Sequence, residues 1–128
     1  MRSTASALVL AGALAAGFGW AQAAAAQAVQ FLVQDSPLAG FRYGEAAEVW
    51  ERLAPGDALT LIAEPDNPHD SGAVRVEWRG RKLGYVPRRE NAALAWALAR
   101  GMPLRARISR LEAHPNPARR LRFEVYLE

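Results

Sequence analysis

Along most of this chain, short apolar stretches alternate with turn residues, and their periodicity changes from segment to segment. From Ala73 to Arg79 the alternation is strict: Val74, Val76 and Trp78 fall on one side, Arg75 and Glu77 on the other. Successive side chains of an extended backbone point to opposite faces, so period two predicts a half-buried strand. Arg120–Leu127 repeats the pattern, with Leu121, Phe123, Val125 and Leu127 set against Arg122, Glu124, Tyr126 and Glu128. Ala58–Ala63 places Leu59, Leu61 and Ala63 on one face, and Leu104–Leu111, Lys82–Val86 and Val29–Val33 also read as strands. Gly80 predicts a tight hairpin between Arg79 and Lys82. Two segments change to helical spacing. These are Glu45–Leu53, with Ala46, Trp50 and Leu53, and Arg89–Arg100, with Leu94, Ala97 and Leu98 on one stripe. Gly101 stands where a helix end favours a left-handed residue. Asp35-Ser36-Pro37, Pro55-Gly56-Asp57, Pro87 and His114-Pro115-Asn116-Pro117 read as breakers, and Leu38–Tyr43 as a short extended segment. Five to six strands and two helices predict an α+β fold on a small, curved antiparallel sheet or β-barrel of the OB/SH3-like kind.

The first residues follow a different rule. Arg2 precedes an uncharged, Ala-rich run whose apolar centre holds Leu8, Val9, Leu10, Leu14 and Phe18. A basic start, a short apolar stretch and small residues describe a secretory signal peptide. Of the two A-x-A sites, Ala21-Gln22-Ala23 and Ala26-Gln27-Ala28, the second predicts a signal at residues 1–28 and one domain at 29–128. The expected product is exported, periplasmic or secreted. The rival reading, a membrane anchor, has its core at Ala5–Ala16, short of the ~20 apolar residues that span a bilayer. No stable span is therefore expected after cleavage. The chain has no Cys, so disulfides do not supply its stability. Its formal net charge of +3 is too small to imply a polyanionic partner by itself.

Candidate chemistry is sparse. The serines of the mature chain sit in no G-x-S-x-G elbow, and Ser71 lies too close to His69 within a turn to be activated by it. The stretch EPDNPHDSG, residues 64–72, gathers Glu64, Asp66, Asn67, His69 and Asp70. It lacks the ligand order of a calcium loop and the ligand number of a zinc site, so neither metal nor cofactor is expected. A turn fixed by Pro65 and Pro68 accounts for its polar residues structurally. Elsewhere, Arg42-Tyr43, Tyr85 and Arg88-Arg89 combine cations with rings, the chemistry that single-stranded nucleic acid requires. Arg119, Arg120 and Arg122 read as a charged strand face.

The runs F-R-Y, L-x-x-E-P-D-N-P-H-D-S-G-A-V-R-V and G-R-K-L-G-Y-V-P-R-R-E-N-A-A-L-A together resemble the HIRAN domain over Val29–Glu128. The resemblance implies a small β-barrel related to OB-like modules and a pocket for the 3′ end of single-stranded DNA. Arg42 and Tyr43 match the pair that embraces the terminal nucleotide. Asn67 matches an amide of the same loop, and His69 stands where a larger ring is found. Asp70 matches the carboxylate that accepts the free 3′-hydroxyl, and Tyr85 and Arg88 match a ring and a cation beside the phosphates. Gly44 replaces a second aromatic, and the loop His114–Arg119 brings no Phe, which leaves Phe123 as the ring expected nearest to it. The expected function is a non-catalytic nucleic-acid-binding module. The alternative is an exported interaction module using the same groove for another periplasmic protein or polymer; a metal-dependent hydrolase is a distant third.

Overall fold

A computed structural model describes residues 30–128; the expected signal peptide and its cleavage site lie outside the described residues. The elements run β1 (Phe31–Pro37), α1 (Ala46–Val49), β2 (Ala58–Ala63), β3 (Val74–Trp78), β4 (Arg81–Tyr85), α2 (Ala92–Ala99), β5 (Leu104–Leu111) and β6 (Leu121–Leu127). The strands form one six-stranded sheet in the order β1-β6-β5-β2-β3-β4, with every pair antiparallel. The α+β class therefore holds, but the barrel does not close as a ladder. Its two edges meet through one bridge, where the segment after β1 touches β4: Ala39 N donates to Tyr85 O at 2.8 Å and Tyr85 N to Ala39 O at 2.9 Å. The neighbouring Leu38 N donates to Leu121 O at 3.0 Å, so two residues span from β6 to β4.

Alternation marks the core. Val74, Val76 and Trp78 of β3 and Leu121, Phe123 and Val125 of β6 are all buried, and Leu38, Leu83, Leu94 and Ile108 join them. Truncating such a side chain to Ala typically costs ~2–5 kcal/mol, the transfer term plus the cavity left behind. Trp78 also carries a polar atom into the interior, and its Nε1 donates to Asp57 Oδ2 at 3.1 Å. Phe123 is fully buried in the core, so its ring is not offered at the surface. Arg79 and Gly80 both have positive φ, 49° and 79°, which makes the β3–β4 connection a two-residue turn whose twist suits a hairpin. Two hydrogen bonds end α2 at Gly101: Gly101 N donates to Leu98 O and Met102 N to Ala97 O, the paired arrangement of a left-handed helix cap.

Several local expectations change. Asp35-Ser36-Pro37 does not break the chain, and β1 runs through it, because the edge position leaves the proline's missing N–H without a ladder partner to lose. Leu38–Tyr43 is extended only up to the Ala39 bridge. Gly40, at φ 74°, then turns the backbone into a 3-10 turn at Phe41–Tyr43. The first helix is one α turn that tightens into a 3-10 turn at Trp50–Arg52, and the second begins at Ala92 after a 3-10 turn at Arg88–Glu90. Arg88 and Arg89 thus precede the α-helical start, contrary to the helix expected from Arg89.

The edge bridge depends on Gly84. A Cβ there would lie 2.3 Å from Ala39 O and 3.0 Å from Leu38 Cγ, and the first of these is backbone that cannot rotate away. Gly84→Ala is expected to separate the edges and to cost at least ~1–3 kcal/mol, as overpacking does. Urea unfolding with matched m-values checks this; an unchanged midpoint would show that the bridge contributes nothing.

Candidate nucleic-acid interface

The loop between β2 and β3 is built by its own polar side chains. Asn67 Oδ1 accepts from His69 N at 2.9 Å and Asp70 N at 3.2 Å, and its Nδ2 donates to Glu64 Oε1 at 2.9 Å. Asp70 Oδ1 accepts from Gly72 N at 2.9 Å, and Oδ2 accepts from Asn91 Nδ2 at 2.8 Å. Asn91 is buried at the start of α2 and makes no side-chain cap there; its amide turns to the loop instead. Arg88 Nη2 donates to His69 O at 3.2 Å, and its Nε lies 3.8 Å from Asp70 Oδ2. The loop is thereby fastened to the segment entering α2.

Glu64 anchors the other side. Its Oε1 also accepts from the Tyr85 hydroxyl at 2.9 Å, and Arg75 Nη1 lies 3.1 Å from its Oε2. A bulge at Leu83, between the pairs Val76–Gly84 and Glu77–Lys82, shifts the β4 register by one residue. Bulges re-aim side chains, and this one brings Lys82 to the face of Tyr85, with Nζ 4.7 Å from the ring centroid.

These groups surround a depression of about 420 Å³, lined by Asn67, His69, Asp70, Tyr85 and Arg88 together with Lys82, Asn91 and the Ala39-Gly40 backbone. Arg42 and Tyr43 line a second, smaller depression of about 210 Å³ with Phe41, Asn116, Pro117 and Ala118. Ala39 and Gly40 border both. Five of the seven residues singled out from the sequence thus share one hollow, and the other two stand in the one beside it. Tyr43 is 87% exposed, and Arg42 is exposed with no hydrogen bond or ion pair from its side chain among the described residues. A third depression of about 470 Å³ adjoins Phe41 at Trp50 and His114, but there Arg120 and Trp50 cover the Phe41 ring.

Gly44 has a steric reason. A Cβ at this position would lie 2.4 Å from Leu83 O, so the backbone of β4 excludes any aromatic side chain there. Sequence reasoning did not include Lys82 and Asn91 among the site residues. Lys82 is re-aimed by a bulge that leaves no periodic trace, and an Asn before a helix reads equally well as a cap. Among the described residues no three His, Asp or Glu side chains gather to hold a metal, and no helix is long and apolar enough to cross a membrane.

Asp70 and Glu64 are both held below their ordinary carboxylate range. For Asp70 the main cause is the hydrogen bond from Asn91, followed by that from the Gly72 amide, with Arg88 adding its charge. For Glu64, desolvation pushes upward, but the donors Asn67 and Tyr85 and the charge of Arg75 together outweigh it. Asp70 is ionised at neutral pH, an acceptor with two oxygens and about four lone-pair sites. Gly72 N occupies one site on Oδ1 and Asn91 Nδ2 one on Oδ2, and the carboxylate still borders the hollow.

Comparison with known proteins agrees with this architecture. The HIRAN domain family model matches residues 31–128. A crystal structure of a protein from Lactobacillus plantarum superimposes with a TM-score of 0.67 at 23% identity, covering 77% of this chain and 95% of that one. The crystal structure of the HIRAN domain of human HLTF superimposes with a TM-score of 0.56 at 16% identity, covering 80% and 83%. At these identities the two structures speak for the fold. No curated protein matches the sequence.

Depressed pKa values in the folded state mean stability that is present above the unfolded carboxylate range and lost as pH falls through the lowered values. Asn91→Ala is expected to move the Asp70 pKa up toward its ordinary value and to shrink the stability lost on acidification. Carboxyl-carbon NMR titration checks the first and urea midpoints across acidic pH the second. An Asp70 pKa unmoved in the variant would show that Asn91 does not hold the carboxylate.

Proposed function

We propose that this chain, which belongs to the HIRAN domain family, a family of DNA-binding modules, captures single-stranded DNA ends that carry a free 3′-hydroxyl and performs no chemistry on them. One observation supports this reading above the rest: an ionised carboxylate, Asp70, borders the same hollow as Arg88, Lys82 and the ring of Tyr85. Cations and rings suit any stretch of single strand. A carboxylate beside them repels a phosphate and accepts from a hydroxyl, so it favours a strand that ends there over one that continues. In this reading Arg42 and Tyr43 grip the terminal nucleotide from the adjoining hollow, His69 and Tyr85 flank it, Arg88 meets its phosphate, and Asn67 shapes the loop that presents Asp70.

The leader-like sequence of residues 1–28 supports export to the periplasm or beyond. In that compartment free DNA is scarce. This favours a second reading, in which the same groove serves as an interaction surface for another exported protein or polymer.

Fluorescence anisotropy with a labelled oligothymidylate separates the two. The end-capture reading expects tighter binding to a 3′-hydroxyl than to a 3′-phosphate, with the preference fading as pH falls through the lowered Asp70 pKa. Tyr43→Ala is expected to weaken binding by the ~1–3 kcal/mol of one stacked base. Arg42→Ala is expected to lower the log–log salt slope by about 0.7 at an unchanged melting temperature. Equal affinity for the two termini would reject end capture, and absence of binding would leave the interaction-module reading.

A further inference from the structure

At the far end of the β5–β6 ladder two arginines face each other. Ile108 pairs with Phe123, but the next pair is Arg110 with Arg122, so Ser109 is the extra residue of a bulge. With regular alternation Arg110 would follow Ile108 toward the core. The bulge turns it outward, directly across from Arg122. Like charges directly opposite on neighbouring strands are destabilising, so this arrangement has a cost that the sheet does not need. Each guanidinium holds a carboxylate nearby, Arg110 with Glu112 at 2.7 Å and Arg122 with Asp35 at 3.2 Å. The four side chains are between 35% and 67% exposed, and ion pairs so open to solvent are worth roughly 0–1 kcal/mol. They are therefore easily exchanged for another anion. A third cation, Arg119, is exposed, and its side chain has no hydrogen bond or ion pair among the described residues.

Arg110, Arg119 and Arg122 line one hollow of about 290 Å³ with Glu112, Pro37 and Ala118; Glu112 is the carboxylate paired with Arg110, so three cations face one anion there. Ala118 also borders the hollow of Arg42 and Tyr43, and Pro37 is followed in the chain by Leu38, which lines that hollow too. The cationic surface is thus continuous with the site. We propose that this arginine cluster is a second subsite, which binds the phosphates of the strand upstream of its captured 3′ end. The inference rests on the end-capture reading and extends it from a terminal nucleotide to a path along the backbone. Guanidinium suits phosphate because its planar fork donates two hydrogen bonds at once. The cluster presents no exposed ring, so it contributes affinity and register without reading bases.

The test compares a thymidine dinucleotide with an oligothymidylate of about eight nucleotides, within the span one OB-type fold covers, both with free 3′-hydroxyls. Arg119→Ala is expected to leave dinucleotide affinity and melting temperature unchanged and to lower the salt slope of the longer strand by about 0.7. Arg110→Ala/Arg119→Ala is expected to lower it by about twice that. If the wild type binds both strands and neither variant changes the slope, the arginines lie off the path and end capture stands alone. If the dinucleotide loses as much as the longer strand, the cluster is not a separate subsite. If inorganic polyphosphate binds the wild type as tightly as the longer strand, and is equally weakened by Arg119→Ala, the cluster is a general anion surface and the proposal fails. If neither strand binds the wild type, end capture fails and this inference with it.

Discussion

Two main-chain hydrogen bonds between Ala39 and Tyr85 hold the two edges of this small sheet together. They are ordinary bonds, each worth about 1 kcal/mol net, but they join segments that no other ladder connects. One side of the bridge leads through Gly40 to the turn that carries Arg42 and Tyr43; the other is the strand residue whose hydroxyl reaches Glu64. Remove the bridge and the two hollows have no common border. Close backbone approach on this scale tolerates no side chain between the partners, which is why glycine occupies position 84 and, by a parallel contact with Leu83, position 44.

Irregularity, more than regular structure, arranges the polar side chains. The bulge at Leu83 brings Lys82 to the ring of Tyr85, and the bulge at Ser109 turns Arg110 out beside Arg122. Leu83 of β4 and Ala106 and Ile108 of β5 meanwhile fill the core. The fold thus separates two tasks: alternating apolar residues supply stability, and single extra residues set which cations face the groove. The polar loop works in the same way. Asn67, Asp70 and Asn91 first satisfy the backbone and one another, and the rigid result presents a carboxylate to the hollow.

The strands β2 to β6, the hairpin at Gly80 and the helix stop at Gly101 follow from local patterns, because period two, a two-residue turn and a left-handed cap are each decided within a few residues. The motif around EPDNPHDSG carried the family and singled out the loop. Other features were not local. Whether Asp35-Ser36-Pro37 ends a strand depends on its lying at a sheet edge. Whether Phe123 offers its ring at the surface depends on which face of β6 is covered. Whether the strands close into a barrel depends on the meeting of residues 39 and 85. Alternation by itself settled the core face and the class of fold, since burying every second side chain needs no knowledge of the partner strand. The convergence of loop, turn and strand on one groove, and the identity of the cations around it, were decided by the tertiary structure, because register shifts and edge contacts are properties of pairs of segments distant in the chain.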